Sequence, residues 1–240
     1  MKKKRIIPLL ILMMTIVFAV GIYIWTNRSK YPDMDPSWGM GTKVTEAVSN
    51  DRGYEWYRDQ MDTGRNAYRN CGPTVIEMAA RWQNENSTIT TEEIVDRYIP
   101  DEKVFDGASF GDLAEWMEEL GVDMEWLPNF TKESVVEEID KGNILIIGVN
   151  LNILACSESE TARCGEYFYY KKETEDINHF IIVKGYRVVD GVSYFETYDP
   201  GSYGSKYEDG EPIGKNRYYE QEDFIKSAHK FYHHSIVISK

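Results

Sequence analysis

The residues best equipped for chemistry in this chain are one cysteine, one histidine and one aspartate: Cys71, His179 and Asp199. Cys71 opens the stretch Asn70-Cys71-Gly72-Pro73-Thr74, which reads as a helix start with Pro73 at the first helical position, where its fixed φ fits and its missing N–H costs nothing. A thiol at that place feels the positive end of the helix dipole, which favours thiolate and makes the sulfur nucleophilic near neutral pH. Such a thiolate needs a proton carrier, and the carrier needs an orienting acceptor. His179 heads the apolar run His179-Phe180-Ile181-Ile182-Val183, and Asp199 closes Tyr194-Phe195-Glu196-Thr197-Tyr198 just before Pro200-Gly201. A hairpin of those two strands, with histidine at the start of one and aspartate at the end of the next, sets the two side chains side by side. Taken singly, each residue has an ordinary explanation: a buried small hydrophobe, a strand-edge histidine, a turn-forming aspartate. Together they read as a Cys-His-Asp set.

The elements that must position these residues follow from periodicity. Behind Cys71, the residues Val75, Ile76, Ala79 and Trp82 recur at helical spacing and predict one buried face. A second helix is expected after Thr90, whose pairing with Glu93 resembles a capping box. A third is expected over 110–120, with Leu113, Trp116, Met117 and Leu120 on one face and Gly121 as its stop. A fourth, around 132–141, carries Val135, Val136 and Ile139. The period then changes, and 144–149, 179–188, 192–198 and 235–239 read as strands, with Asp190-Gly191 as a hairpin turn. Helices followed by strands predict an α+β domain, helices packed on an antiparallel sheet. The segment 201–214, rich in Gly, Tyr and charge, is expected to be a surface loop bordering a cleft. The runs 167–170 and Tyr218-Tyr219 read as sheet surface.

With these pieces assembled, the sequence resembles the bacteriocin-processing peptidases and their stand-alone relatives within the papain-like cysteine peptidases. The matching motifs are Asn70-Cys71-Gly72-Pro73-Thr74 with Met78-Ala79, His179-Phe180-Ile181-Ile182-Val183-Lys184-Gly185-Tyr186 and Tyr198-Asp199-Pro200, and 107–121 is similar to that family's middle helix. The resemblance covers roughly 51–240. It implies a papain-like fold with Cys71 as nucleophile, His179 as general base and acid, and Asp199 as its orienter. Those enzymes carry an oxyanion-hole glutamine about six residues before the cysteine, whereas here the nearest upstream glutamine is Gln60, eleven before. An insertion such as Thr63-Gly64-Arg65-Asn66 that loops out would restore the geometry, with Asn66 or Asn70 as substitute donors. No transporter domain follows, so specificity for double-glycine leaders is not carried over.

Composition sets the compartment. The chain begins Met1-Lys2-Lys3-Lys4-Arg5 and runs apolar from 6 to 25, long enough as a helix to cross one hydrocarbon core. Basic residues ahead of the run keep the N-terminus inside and place the rest outside the cytoplasm. Residues 1–30 are therefore expected to be a transmembrane signal-anchor, with a cleaved signal peptide and secretion as the alternative. Residues 31–50 are expected to be a linker and 51–240 the peptidase domain. Beyond residue 30 the chain carries 21 basic side chains against 40 acidic ones, a net −19, which excludes the basic face that nucleic-acid binding requires. Outside the cell, Cys156 and Cys164, eight positions apart around a polar loop, have a spacing that can close a disulfide. That leaves Cys71 as the thiol to be used.

Other motifs carry less. Gly107-Ala108-Ser109-Phe110-Gly111 matches a nucleophile elbow, but no strand precedes it, and Ser109 with Asp112 reads as a helix cap. His229 and His233 lack an evident third metal ligand, and no cofactor motif is present. The expectation is an extracytoplasmic cysteine peptidase acting on a peptide or protein through a thioester acyl-enzyme. The alternatives are a transpeptidase or amidase on cell-envelope material, or an inactive peptide-binding module of the same fold.

Overall fold

A computed structural model of the chain describes residue 16 and residues 30–99, 105–157, 159, 162–166, 176–230 and 232–240. The expected membrane segment lies outside these apart from Ile16, as does the tyrosine run 167–170. Among the described residues no helix is long and apolar enough to cross a membrane.

The central strand explains the rest of the architecture. Strand β4 (Asn178–Val189) is twelve residues long. One edge pairs first with β3 (Ile144–Asn150) and then with β1 (Val44–Ser49), while the other pairs with β5 (Val192–Tyr198). The β4–β5 hairpin turns at Asp190-Gly191, both with positive φ, the pair of left-handed residues that a two-residue hairpin loop demands. β2 (Glu125–Pro128), β6 (Lys215–Glu220) and β7 (His234–Ile238) complete an antiparallel seven-stranded sheet in the order β2-β7-β3-β4-β5-β6, with β1 on β4.

Helices cover both faces, so the inner strands are apolar without alternation. On one face α1 (Cys71–Gln83), α2 (Thr91–Tyr98) and α3 (Phe110–Leu120) form a core with Ile144, Ile146, Phe180, Ile182 and Ile236. On the other, α4 (Lys132–Asp140) and α5 (Gln221–Ala228) pack with Leu145, Ile147, Val149, Ile181 and Val183. The split of even from odd positions along β3 and β4 is the period-two pleat. Each fully buried aliphatic side chain stabilises the fold by about 1.5–3 kcal/mol relative to exposure.

The pairing register slips between Val183 and Gly185, a bulge that puts Tyr186 on the same face as Val183. Lys184 is fully buried there. Its ammonium pairs with Glu196 and with Asp51 at 3.1 Å and lies 4.7 Å from the Tyr198 ring. A Cβ on Gly185 would press into the carbonyl of Val48, so glycine is what lets β1 approach β4.

The structure departs from the sequence reading in several places. The expected linker 31–50 is folded: Met34, Met40 and Val44 are buried with Val189, Tyr194 and Tyr218, and β1 is part of the sheet. β1 is an edge strand with one fully buried position in six, too polar to show an alternating pattern. Helix α1 begins at Cys71, two residues ahead of the expected start, which puts Pro73 at its third position. The reasoning for proline survives, because none of the first-turn N–H groups has an intrahelical partner. Ser109 and Asp112 cap α3 reciprocally, as expected. Tyr218 and Tyr219 are buried, not sheet surface.

The expected Cys156–Cys164 disulfide is not made; no disulfide is present among the described residues. The two cysteines sit on neighbouring backbone but face different surroundings. Cys156 pairs with Glu166 and is exposed, whereas Cys164 pairs with Tyr218 and packs against the cluster around Met34, Met40 and Tyr218.

Candidate active site

Helix α1 is the buried axis of its face of the molecule: every residue from Gly72 to Ala80 is buried. Gly72 permits this at the functional end. A Cβ there would sit 2.8 Å from Ala108 Cβ and 3.0 Å from Leu113 Cδ1, so only glycine lets the helix start press against the segment leading into α3. Farther along, the buried carboxylate of Glu77 accepts hydrogen bonds from the Thr91 N–H at 2.7 Å and hydroxyl at 2.6 Å, which fixes the start of α2 on α1. Cys71 is thereby held, half-buried, at the helix N-terminus.

His179 at the start of β4 and Asp199 at the end of β5 are brought together by the hairpin. His179 Nε2 lies 2.6 Å from Asp199 Oδ1, and both residues are buried. With Nε2 taken by the carboxylate, Nδ1 is left for the other side of the ring, and the Cys71 side chain lies close enough to His179 for each to shift the other's protonation. Asp199 Oδ1 also accepts the Gly201 N–H at 2.7 Å, and Oδ2 takes the Tyr219 hydroxyl at 3.1 Å.

These contacts set the protonation of the group. Burial opposes the charged form of His179, yet the adjacent Asp199 carboxylate and the Cys71 thiol outweigh it and raise its pKa well above the ordinary value. Burial likewise opposes the Cys71 thiolate, but His179 and the backbone of Phe180 and Gly72 lower the thiol's pKa on balance. Asp199 stays below the usual carboxylate range, since His179, Gly201 and Arg217 overcome the cost of its burial. All three shifts favour a thiolate–imidazolium pair steadied by a carboxylate.

Gln60 comes back beside Asp199 through its backbone. Its backbone N–H donates to the carbonyl of Pro200 at 2.8 Å, beside Asp199, and its side-chain Nε2 donates to Ala67 O at 3.0 Å. The chain between them loops through left-handed residues Gly64 and Asn66, linking the short 3-10 turns Gln60–Asp62 and Ala67–Arg69. The insertion Thr63-Gly64-Arg65-Asn66 therefore does loop out, and Gln60 folds back across it. Asn70 does not qualify as a substitute donor: both hydrogens of its amide are used, on Thr63 Oγ1 at 2.9 Å and Arg65 O at 2.8 Å. Asn66 serves as the left-handed turn residue.

Aromatic side chains wall the site. Tyr232, whose hydroxyl is raised by burial and by the Cys71 charge, packs on Phe110 and Phe180. The exposed Tyr68, three residues before Cys71, meets Tyr203 with ring centroids 5.7 Å apart. The segment after Asp199 is not simple surface: Ser202, Tyr207, Ile213 and Gly214 are buried, and Tyr57 bonds the hydroxyl of Ser202 and, at 2.9 Å, the carbonyl of Asp199. Beneath Asp199 lie Tyr219, which the sequence reading had placed on the sheet surface, and Glu166 and Arg217, which it did not single out. Alternation along β6 was the available signal, since Arg217 and Tyr219 share one side of a strand. His229 and His233 lie away from any such cluster, with His229 Nε2 2.9 Å from Phe130 O.

No protein-family model matches this sequence, and no curated protein matches it either. Solved structures do match. A Bacillus anthracis protein assigned to the C39-like peptidases aligns at TM-score 0.52 and 14% identity, over 81% of this chain and 98% of its own. The peptidase domain of Streptococcus ComA, a bifunctional ABC transporter of a quorum-sensing pathway, aligns at TM-score 0.45 and 14% identity, over 78% of this chain and all of that one. UfSP from C. elegans aligns at TM-score 0.45 and 13% identity, over 80% of this chain and 34% of its own. The chain thus shares its fold with a C39-like peptidase.

Proposed function

We propose that this chain is a cysteine peptidase. The observation that carries the reading is that a single buried histidine, His179, bridges a thiol at a helix N-terminus and a buried aspartate. In the reaction, the Cys71 thiolate adds to the carbonyl carbon of the scissile bond, and the carbonyl electrons move onto oxygen. Collapse of that adduct expels the amine, which takes its proton from the His179 imidazolium, leaving a thioester on Cys71 and a neutral imidazole. Water then attacks the thioester with His179 as base; the acid product leaves and the thiol is restored. Asp199 holds the ring and stabilises its charged form throughout. The Cys71 backbone N–H, together with Gln60 Nε2, is the oxyanion donor set in this reading.

The experiment is labelling of the whole protein by an electrophilic thiol probe, with and without a competing peptide. Cys71→Ala should abolish labelling and turnover, and His179→Ala should slow labelling sharply near neutral pH. A Cys71 that labels at the rate of a free thiol, indifferent to loss of His179, would replace the peptidase by a peptide-binding module of the same fold. The domain is further proposed to lie outside the cytoplasm behind an N-terminal anchor, on the strength of the basic residues preceding the apolar run 6–25. Protease added to intact cells should digest it, and protection until lysis would reverse the orientation.

A further inference from the structure

Asp199 is served from below by a hydroxyl that has two claimants. Tyr219 Oη lies 3.1 Å from Asp199 Oδ2 and 3.1 Å from Glu166 Oε2. Asp199, Glu166 and Tyr219 are each no more than 2% exposed, so water does not stand in for a missing partner. A phenol carries one hydrogen. Burial and the two carboxylates hold the Tyr219 hydroxyl well above its ordinary pKa, so it stays a donor, and the hydrogen goes to one carboxylate at a time.

Among the described residues, the charged groups facing this site come from several elements. His179 stands across Asp199 on β4, and beyond it the Cys71 thiol on α1. Arg217, buried on β6 two residues before Tyr219, interacts with both Glu166 and Asp199. It donates to Tyr207 Oη at 3.2 Å and to Ser157 Oγ at 2.8 Å, while its Nε has no hydrogen-bond partner. Arg163 lies over the Tyr207 ring at 4.1 Å. Tyr57 and Asp59 approach from the segment before α1, Tyr57 on the Asp199 carbonyl. Two buried carboxylates thus lie within reach of the same phenolic hydrogen and interact with the same arginine beneath the histidine.

We propose that Tyr219 is a positioning residue for the triad, and that Glu166 competes with Asp199 for its hydroxyl hydrogen and so governs how fully the catalytic carboxylate is hydrogen-bonded. The inference rests on the peptidase reading above. When the hydrogen points to Asp199, that carboxylate is satisfied on both oxygens and holds the imidazolium less strongly. When it points to Glu166, Asp199 Oδ2 is bare, and the negative charge facing His179 is undiluted.

The test uses iodoacetamide and the intact protein, with the rate of Cys71 alkylation followed from pH 4 to 10. Wild type should show a lower inflection as the thiolate forms and an upper one as His179 loses its proton. Glu166→Gln removes a buried negative charge and, an amide oxygen being a weaker acceptor than a carboxylate, biases the Tyr219 hydrogen towards Asp199, so the upper inflection should move to lower pH by about half a unit or more. Tyr219→Phe bares Asp199 and should move it to higher pH. Opposite directions distinguish this role from a structural one, since mere loosening of the site would weaken the His179–Asp199 pair and shift both variants downward. An unmoved inflection in Glu166→Gln, or a downward shift in Tyr219→Phe, overturns the inference. A wild-type profile with no His179-dependent inflection, checked against His179→Ala, instead overturns the catalytic reading and this inference with it.

Discussion

Replacing Asp199 by Asn is the most discriminating perturbation of the site, because the side chain keeps its shape and an acceptor oxygen while losing its charge. In the intact protein that charge, 2.6 Å from Nε2, is what overcomes burial and keeps His179 protonated. Without it only the Cys71 side chain still opposes burial, so the pKa of the imidazole should fall and more of it should be neutral at pH 7. Where the ring is neutral Cys71 has no cation beside it, and its own burial should return the thiol to an ordinary value of about 8.5 or higher. At pH 7 a thiol of that pKa is only about 3% thiolate, so the loss of nucleophile is about thirtyfold at most. A more basic thiolate is intrinsically the better nucleophile, which restores part of the rate. Alkylation by iodoacetamide at pH 7 should therefore slow, by up to about thirtyfold, and the deficit should close as the pH approaches 9. An Asp199→Asn protein whose rate follows the wild-type profile between pH 5 and 9 would refute the claim that the carboxylate sets the thiolate–imidazolium pair.

Gly72→Ala should destabilise the fold by about 1–2 kcal/mol in urea unfolding, overpacking against Ala108 and Leu113 outweighing the gain in helix preference; unchanged or raised stability would show that the α1–α3 contact yields. Gln60→Ala should cost roughly a hundredfold in turnover of a peptide substrate while leaving alkylation of Cys71 unchanged; an equal loss in both would mean that Gln60 acts through the thiol and not the oxyanion. The His179–Asp199 pair should also shape stability against pH. His179 is raised above its unfolded value, so its contribution is complete below about 6.5 and is lost as pH climbs through the folded pKa. Asp199 is lowered, so its contribution is complete above about 4 and is lost as pH falls through the folded pKa. Urea unfolding should find the pair's contribution greatest between those limits and absent in Asp199→Asn.

Local signals in the sequence carried much of this molecule. The bounds of α3, with Ser109 capping it and Gly121 ending it, follow from side chains within a turn of each end. The β4–β5 hairpin is legible because the Asp190-Gly191 turn and two apolar runs adjoin one another. That hairpin is why His179 and Asp199 could be paired from sequence alone. What was not legible depends on contacts from far along the chain. β1 forms only because β4 offers it an edge, and Gly185 the room to use it. The inward turn of Glu77 and Lys184, charged residues of types usually found outside, depends on Thr91, Asp51 and Glu196. The disulfide was expected from spacing alone: eight residues permit closure, but Cys156 is exposed while Cys164 packs on the cluster around Met34, Met40 and Tyr218, residues far from it in the chain. At the site, Tyr219 looked like strand surface because nothing in its own neighbourhood announces Glu166 across from it.

The division of the triad between one hairpin and one distant helix bears on when the thiol becomes dangerous. His179 and Asp199 are twenty residues apart and meet as soon as two adjacent strands zip together, a local event with a small loop-closure cost. Cys71 joins them only when α1 docks on the finished sheet beside Phe180, a contact of long sequence separation. A nascent chain that has made the hairpin but not the docking carries an ordinary, weakly reactive cysteine. Nucleophilicity is in this sense the last property the molecule acquires, and its own unfolded copies are spared the reagent until folding is complete.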